Sequence, residues 1–292
     1  MYKKFLLVQI TFLLCVTALS QEIKIWKGAS LKVYTPTEFS NGGAIIVCPG
    51  GSYKYLGKHI EGYKIAEKLV KDGFTVFVLK YRVALAGYHY PAMIQDLQRS
   101  IQYVKENALQ YNIDSSNVGL IGFSAGGHLV GVGAKYYKEN FISMLNNANN
   151  AVSLRPSYAV MMYPVITMYE PYVHKRSRRN LLGKNPSDLL IEKMSLEKNL
   201  SSDIPPLLIM QAKDDKTVDY HNSVLMQQAL DEVGAEYEFH LFETGGHGFG
   251  AKPKIKTDMS RWYNIFLEWY NSINNSHEQI QTRNRISIQR GN

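Results

Sequence analysis

The stretch that most constrains the fold of this chain lies at residues 118–129, where a short apolar segment meets a cluster of small residues. Val118–Ile121 predicts a buried strand, and the pattern Gly-x-Ser-x-Gly follows it at residues 122–126. A strand that turns sharply into a helix leaves little room for side chains, and it holds the central Ser124 in a strained backbone conformation. The pattern alone is weak, because small residues occupy many tight turns. A base, an acid and oxyanion donors must therefore come from elsewhere in the chain.

Apolar runs that suit buried strands alternate with segments of helical periodicity over most of the chain. Strands are predicted at residues 31–34 (as an edge strand), 44–48, 74–79, 118–121, 158–165, 207–210 and 237–242. Helices are predicted at residues 61–71, 91–111, 188–200, 219–234 and 261–273. Strands that alternate with helices predict an α/β fold, with a mostly parallel sheet and helices on both faces. The insertion at 166–204 is short and polar, which predicts only a minimal cap.

The two ends of the chain differ in composition from its body. Lys3 and Lys4 precede the apolar segment Phe5–Val16, which predicts a signal peptide over residues 1–20 and a secreted or periplasmic protein. A retained membrane anchor is the alternative, but the apolar segment is short for a span of about 20 residues. We therefore expect no stable membrane insertion after cleavage. Residues 276–292 predict a flexible tail, which leaves 21–275 as the folded catalytic domain.

The net charge of +8 is concentrated in three segments, at residues 1–20, 175–179 and 276–292. The rest of the chain is neutral, which argues against a nucleic-acid partner. The run 175–179 is expected to be a solvated loop, and contact with an acidic substrate is the open alternative. It also stays open whether the loop of His174 reaches the active site. Cys48 lies in an apolar run and is expected to be a small buried residue. No metal-ligand or phosphate-binding spacing occurs, so neither a metal nor a cofactor is predicted.

Three candidate catalytic residues fall at the carboxyl ends of predicted strands: Ser124 after 118–121, Asp215 after 207–210 and His247 after 237–242. Because the carboxyl ends of parallel strands meet at one edge of a sheet, we expect these side chains to lie together. The chain order Ser, Asp, His is that of the α/β-hydrolases. His247 is then the base for Ser124, and Asp215 holds the imidazole in its reactive tautomer. The spacing does not separate Asp215 from the neighbouring Asp214, which stays the alternative acid.

Donors for a developing oxyanion are also predicted. The residue after the candidate nucleophile, Ala125, supplies one N–H group, and the loop after the strand at 44–48 supplies those of Gly51 and Ser52. Another histidine, His128, lies one helical turn beyond Ser124 and is predicted to pack or cap. On the helix at 91–111, Asp96 and Arg99 have the spacing of an ion pair.

With these residues in place, the chain resembles the α/β-hydrolase superfamily, and within it the bacterial acetylxylan-esterase and feruloyl-esterase-like carbohydrate esterases. The matching stretches are 47–51, 90–91, 95–99, 122–129, 163–166, 180–183, 205–215 and 245–250. The resemblance implies a serine esterase that removes acyl groups, above all acetyl, from a plant polysaccharide or oligosaccharide through an acyl-enzyme. It also implies Asp215 as the triad acid, and Gly51 and Ser52 as oxyanion donors. The chain departs from the usual pattern at Ser52 (usually Gly), Arg176 (usually Gly), Gln211 (commonly His) and Asp219 (commonly Pro).

Two other functions remain open at this stage. One is a general carboxylesterase, lipase or peptidase that uses the same residues. The polar insertion at 166–204 does not suggest the large apolar cleft that lipases usually need. The other is a non-catalytic carbohydrate-binding protein, which usually arises by loss of a triad residue, and none is lost here. The sequence indicates neither the sugar, nor the acyl group, nor the oligomeric state.

Overall fold

A single sheet of eight strands organises the protein in a computed structural model that describes residues 21–143, 152–252 and 257–275. The strands are β1 (Gln21–Trp26), β2 (Ala29–Tyr34), β3 (Ala44–Cys48), β4 (Thr75–Lys80), β5 (Val118–Phe123), β6 (Ala159–Met162), β7 (Leu207–Ala212) and β8 (Tyr237–Phe242). Their spatial order is β1-β2-β4-β3-β5-β6-β7-β8. β2 is antiparallel to both of its neighbours, β1 and β4. The remaining neighbours in the sheet, from β4 through β3 to β8, pair in parallel. The predicted mostly parallel sheet is confirmed.

Helices cover both faces of this sheet. They are α1 (Lys64–Leu69), α2 (Ala92–Glu106), α3 (Ala125–Lys135), α4 (Lys175–Leu182), α5 (Asp188–Lys193), α6 (His221–Val233) and α7, at residues 262–275. A short π-helical turn (His59–Tyr63) precedes α1, and 3₁₀ turns occupy Val70–Asp72, Ala84–Ala86 and Asp258–Arg261. No helix in the described ranges combines the length and apolarity needed to cross a bilayer.

The core is divided into two layers by the alternation of side chains along the central strands. Ile46 of β3 belongs to one layer, with Leu97 of α2 and Leu129 of α3. Its neighbour Ile45 belongs to the other layer, which contains α1 and the aromatic face of α7, including Trp262. Each large apolar side chain that is fully buried contributes about 1.5–3 kcal/mol to stability. The two layers fix β3 and β5 at the centre of the sheet, with their carboxyl ends adjacent.

Several local predictions were wrong at the periphery. β2 is paired on both sides, because the unpredicted strand β1 forms the sheet edge beyond it. The basic run 175–179 is helical in α4, and the helix predicted over 188–200 ends at Lys193. The predicted signal peptide (1–20) and tail (276–292) lie outside the described residues.

The ion pair predicted on α2 was also wrong. Asp96 is buried and pairs with Arg82, at 2.8 Å, and that residue also donates its backbone N–H to the carboxylate. Arg99 is half-buried and pairs instead with Glu106 on the same helix, at 3.1 Å. Burial decided the outcome for Asp96, because a carboxylate inside the protein needs several donors, which Arg82 supplies.

Candidate active site

Ser124 lies between β5 and α3 in a backbone conformation that side chains rarely adopt, with φ 54° and ψ −117°. The turn is compact because two glycines allow close contacts. A Cβ on Gly122 would come within 2.0 Å of the Gly126 carbonyl oxygen, and one on Gly126 within 2.1 Å of the Cys48 carbonyl oxygen. The strained turn places the Ser124 hydroxyl beyond the end of the strand, as the Gly-x-Ser-x-Gly pattern predicts.

The structure brings the three predicted catalytic residues into one chain of hydrogen bonds. His247 Nε2 lies 2.9 Å from Ser124 Oγ, and His247 Nδ1 lies 2.6 Å from Asp215 Oδ2. The Asp215 side chain is fully buried and that of His247 is 15% exposed. Burial raises the pKa of Asp215, but the hydrogen bond and positive charge of His247 and the backbone N–H groups of Thr217 and Val218 outweigh it, so the pKa is lowered. The carboxylate is therefore ionised at neutral pH and can orient the imidazole.

The two neighbouring aspartates have different positions. Asp215 Oδ1 accepts hydrogen bonds from the N–H groups of Thr217 and Val218, at 2.8 and 3.0 Å. Asp214 points outward, and its Oδ1 accepts from the N–H groups of Gly245 and Gly246, at 2.9 and 2.8 Å. Asp215 thus contacts His247 directly, while Asp214 holds the loop on which that histidine lies.

The predicted oxyanion donors lie around Ser124. Gly51 and Ser52 line the same cleft as Ser124, and Ala125 is the first residue of α3, where N–H groups have no partner within the helix. The carbonyl of Gly50 accepts from Gly57 N, at 2.9 Å, and that of Gly51 accepts from Lys54 N, at 3.0 Å. Since a trans peptide directs its N–H opposite to its C=O, these bonds also fix the N–H groups of Gly51 and Ser52.

A buried carboxylate that the sequence did not reveal supports this loop. Glu61 Oε2 accepts from Gly50 N, at 2.9 Å, and its Oε1 accepts from the Tyr163 hydroxyl, at 2.8 Å. The same hydroxyl accepts from Gly250 N, at 3.1 Å, on the histidine loop. Burial raises the pKa of Glu61, although its hydrogen bonds and His247 act in the opposite direction. Glu61 and Tyr163 thereby connect the loop that contains Gly50, Gly51 and Ser52 with the loop that holds His247.

His128 is buried beneath the site and takes no part in the hydrogen-bond chain of Ser124. Its Nδ1 accepts from the Tyr53 hydroxyl, at 2.7 Å, and its Nε2 donates to the Met194 carbonyl, at 2.8 Å. Burial lowers the pKa of His128 to about 4. The neutral ring therefore packs α3 against the loop of Tyr53, as predicted. Cys48 is likewise buried, and burial raises the pKa of its thiol.

A cleft of about 540 Å³ opens over Ser124 and His247. Its walls include His174 and Arg176, the two residues whose proximity to the site the sequence left open. His174 Nδ1 lies 2.7 Å from the Ser177 hydroxyl. Burial, together with the charges of His247 and Arg176, lowers the pKa of His174. A separate cavity of about 480 Å³, lined by residues that include Tyr169 and Tyr172, contains none of the predicted site residues.

The fold and this arrangement define an α/β-hydrolase. Residues 31–230 match the BD-FAE family, and the chain belongs to that family. It is 34% identical over 235 residues to an acetylxylan esterase of Xylanibacter ruminicola, covering 77% of this chain and 46% of that protein. It is also 34% identical over 206 residues to endo-1,4-beta-xylanase B of Butyrivibrio fibrisolvens, covering 70% of this chain and 32% of that one. The chain thus spans less than half the length of these curated relatives.

A solved structure extends this similarity over nearly the whole chain. The acetyl ester-xyloside bifunctional hydrolase of Caldicellulosiruptor lactoaceticus superimposes with a TM-score of 0.81 at 30% identity, covering 89% of this chain and 98% of that one. The family and these relatives place the chain in the α/β-hydrolase superfamily, beside proteins named as esterases. The resemblance to carbohydrate esterases noted in the sequence is confirmed.

Proposed function

We propose that the protein is a secreted serine esterase that removes acetyl groups from plant polysaccharides or their oligosaccharides. The observation on which this depends is the unbroken chain of hydrogen bonds from Ser124 through His247 to Asp215, with distances of 2.9 and 2.6 Å. The relatives named as acetylxylan esterase and acetyl ester-xyloside hydrolase support the acetylated carbohydrate as substrate. The cleft over Ser124 combines polar side chains such as His174 and Arg176 with apolar ones such as Leu56, which suits a sugar that carries a small acyl group.

The reaction follows from the roles of these groups. His247 Nε2 takes the hydroxyl proton of Ser124 as Oγ attacks the ester carbonyl carbon, and Asp215 stabilises the imidazolium that forms. The N–H groups of Gly51, Ser52 and Ala125 donate to the oxyanion, and each such donor contributes on the order of 3 kcal/mol. His247 then protonates the sugar oxygen as the carbon–oxygen bond of the ester breaks. Water attacks the acyl-serine with His247 again as base, which releases acetate and restores Ser124.

The decisive experiment compares the wild-type protein with Ser124→Ala on acetylated xylan, with acetate as the measured product. We expect release by the wild type and loss of more than about 10³-fold in the variant, since the nucleophile is absent. A fluorophosphonate probe should label the wild type and not the variant. Acetate release that survives Ser124→Ala, or absence of labelling in the wild type, contradicts the mechanism.

Two further measurements separate this proposal from its alternatives. A series of nitrophenyl esters should show falling kcat/KM as the acyl chain lengthens; a preference for long chains favours a lipase. Export is tested by producing the protein from Met1 in a bacterial host and sequencing the N-terminus of the exported form. The expected first residue is Gln21, and retention of Lys3 and Lys4 in a membrane fraction favours an anchor.

A further inference from the structure

The basic run 175–179 has no part in the chemistry described above, yet the fold places it at the edge of the active site. The run forms most of α4, and Arg176 lines the cleft that contains Ser124 and His247. The helix extends about 12 Å, from eight residues at about 1.5 Å each. Arg176 and Arg179 are three residues apart, so their side chains share one side of the helix that begins at the cleft.

Two further cavities lie along α4. One, of about 380 Å³, is lined by Lys175, Arg178, Arg179 and Lys184. The other, of about 290 Å³, shares Arg179 and Lys184 with it and adds Lys54 and His89. Asn180, on the wall of this second cavity, donates from Nδ2 to the Ser52 carbonyl in the catalytic cleft, at 2.8 Å. Four exposed cations of these cavities and of the cleft wall form no ion pair within the described part of the chain, and we call them the basic surface: Lys54, Arg176, Arg179 and Lys184.

Acidic groups neutralise little of this charge. Among the described residues that line the three cavities, Glu61 is the one acid, and its buried carboxylate already binds Gly50 and Tyr163. Two cations beside the basic surface are engaged: Lys175 pairs with Glu170 at 3.1 Å, and Arg178 donates to the Met168 carbonyl at 2.9 Å.

The members of the basic surface itself are unpaired. The side chains of Lys54, Arg176, Arg179 and Lys184 form no ion pair or hydrogen bond with another residue in the described ranges. Unpaired cations on one surface create a local positive potential, which attracts anionic ligands and concentrates them near the site.

We infer that the basic surface binds the carboxylates of an acidic polysaccharide, so that the esters cleaved at Ser124 lie on a glycan that contains uronic acids. This inference rests on the proposed esterase function and specifies its substrate class. Guanidinium groups bind carboxylates through two parallel hydrogen bonds, which suits Arg176 and Arg179 to this task. A glycan whose ester is attacked by Ser124 can continue along α4, where its successive uronate groups contact Arg179 and Lys184.

The test compares acetate release from acetylated homogalacturonan, which is acidic, and acetylated glucomannan, which is neutral, at matched acetyl content. We expect kcat/KM to favour the acidic polymer about tenfold at low salt, the factor that about 1.4 kcal/mol represents. The preference should vanish at about 1 M salt, where the Debye length falls to about 3 Å. Equal activity on the two polymers at low salt overturns the inference.

Variants locate the effect on α4. Arg176→Gln and the pair Arg179→Gln with Lys184→Gln should each reduce the acidic-to-neutral ratio of kcat/KM about threefold to tenfold. Arg176→Lys, which keeps the charge but loses the two-bond geometry, should retain part of the ratio. Lys27→Gln is the matched control, because Lys27 is exposed in the turn between β1 and β2. A fall in the ratio of equal size in Lys27→Gln attributes the preference to overall charge and contradicts the inference.

Binding is measured independently of turnover with Ser124→Ala and unesterified polygalacturonate. Retention that is lost on adding Arg179→Gln with Lys184→Gln supports the basic surface; absence of retention refutes it. Stronger retention by duplex DNA than by polygalacturonate assigns the surface to nucleic acid instead. A wild-type protein that binds polygalacturonate but hydrolyses no ester, nitrophenyl acetate included, contradicts the proposed function and leaves the inferred ligand standing.

Discussion

Replacing Asp215 with asparagine should remove nearly all turnover, whereas the same replacement at Asp214 should not. In the native site, Asp215 Oδ1 accepts from Thr217 N and Val218 N, while Oδ2 accepts from His247 Nδ1 at 2.6 Å and from Gln211 Nε2 at 3.1 Å. An asparagine has one acceptor oxygen and one NH₂ group. Whichever way the amide is turned, its NH₂ group faces two donors.

The better orientation keeps the amide oxygen at the two backbone N–H groups, because these groups can only donate hydrogen bonds. The NH₂ group then faces His247, and the imidazole adapts by carrying its proton on Nε2, so that Nδ1 can accept. Nε2 lies 2.9 Å from Ser124 Oγ and in this tautomer cannot take the hydroxyl proton. Trapping the wrong tautomer costs about 10⁴ in kcat in a serine protease. That factor corresponds to about 5.5 kcal/mol in the barrier.

Asp214→Asn is the matched control because it removes the same charge from the next residue. Its Oδ1 accepts from Gly245 N and Gly246 N, and an amide oxygen serves these donors equally well. We expect a change in kcat/KM of less than about threefold. Both variants are assayed on nitrophenyl acetate below their Tm. An equal loss in the two variants, or an Asp215→Asn enzyme within tenfold of wild type, refutes the assignment of the acid.

Three further predictions follow from buried groups around the site. Glu61→Gln should lower kcat/KM about tenfold on nitrophenyl acetate, because one amide oxygen cannot serve both Gly50 N and the Tyr163 hydroxyl. The Tm should change little, since removing a buried charge offsets the lost hydrogen bond. Unchanged kinetics contradict this role. Burial lowers the pKa of His128 from 6.5 to about 4, so the folded state binds fewer protons than the unfolded state between these pH values. The free energy of unfolding in urea should therefore fall by up to about 3 kcal/mol as pH drops through that window, and His128→Gln should flatten this slope. Gly126→Ala should lower the yield of folded protein and reduce turnover more than about 10²-fold, because its Cβ would lie 2.1 Å from the Cys48 carbonyl oxygen. A well-folded, active variant would contradict this close approach.

The centre of the fold was predictable from the sequence for a physical reason. Strands buried on both faces require continuous apolar runs, and β3, β5 and β7 have them. β8, which is half-buried, pairs parallel with β7, so the residues that follow β5, β7 and β8 meet at one edge of the sheet. The proximity of Ser124, Asp215 and His247 is a consequence of that topology rather than of any local signal.

The periphery was not predictable in the same way. β1 has only one buried residue, Ile25, so its apolar pattern is too weak to indicate a strand without its partner. The run 175–179 has four cations and little apolar periodicity, yet Leu181 and Leu182 at the end of α4 are buried and anchor the helix. In both segments, contacts with distant residues supply the stability that local sequence does not.

The partners of buried polar groups were equally hidden. A carboxylate within an apolar stretch needs donors, and this much follows from the cost of burying an unpaired charge. Which donors serve Glu61 depends on the positions of Gly50 and Tyr163, which are 11 and 102 residues away. The choice between Asp214 and Asp215 likewise depended on a loop about 30 residues further along the chain. Local spacing carries no information on such contacts.

The glycines of the Gly-x-Ser-x-Gly pattern have a different role from the one that the sequence suggested. The turn alone was expected to require them, but the shortest contact of a Cβ on Gly126 would be with the end of β3, at the Cys48 carbonyl oxygen. The missing side chain therefore lets β3 end against the start of α3. A Cβ on Gly50 would in turn lie 3.0 Å from Cβ of Ser124. Gly50 and Gly126 together thus let the loop after β3 approach Ser124 closely, so Gly126 of the pattern serves this contact as well as the turn.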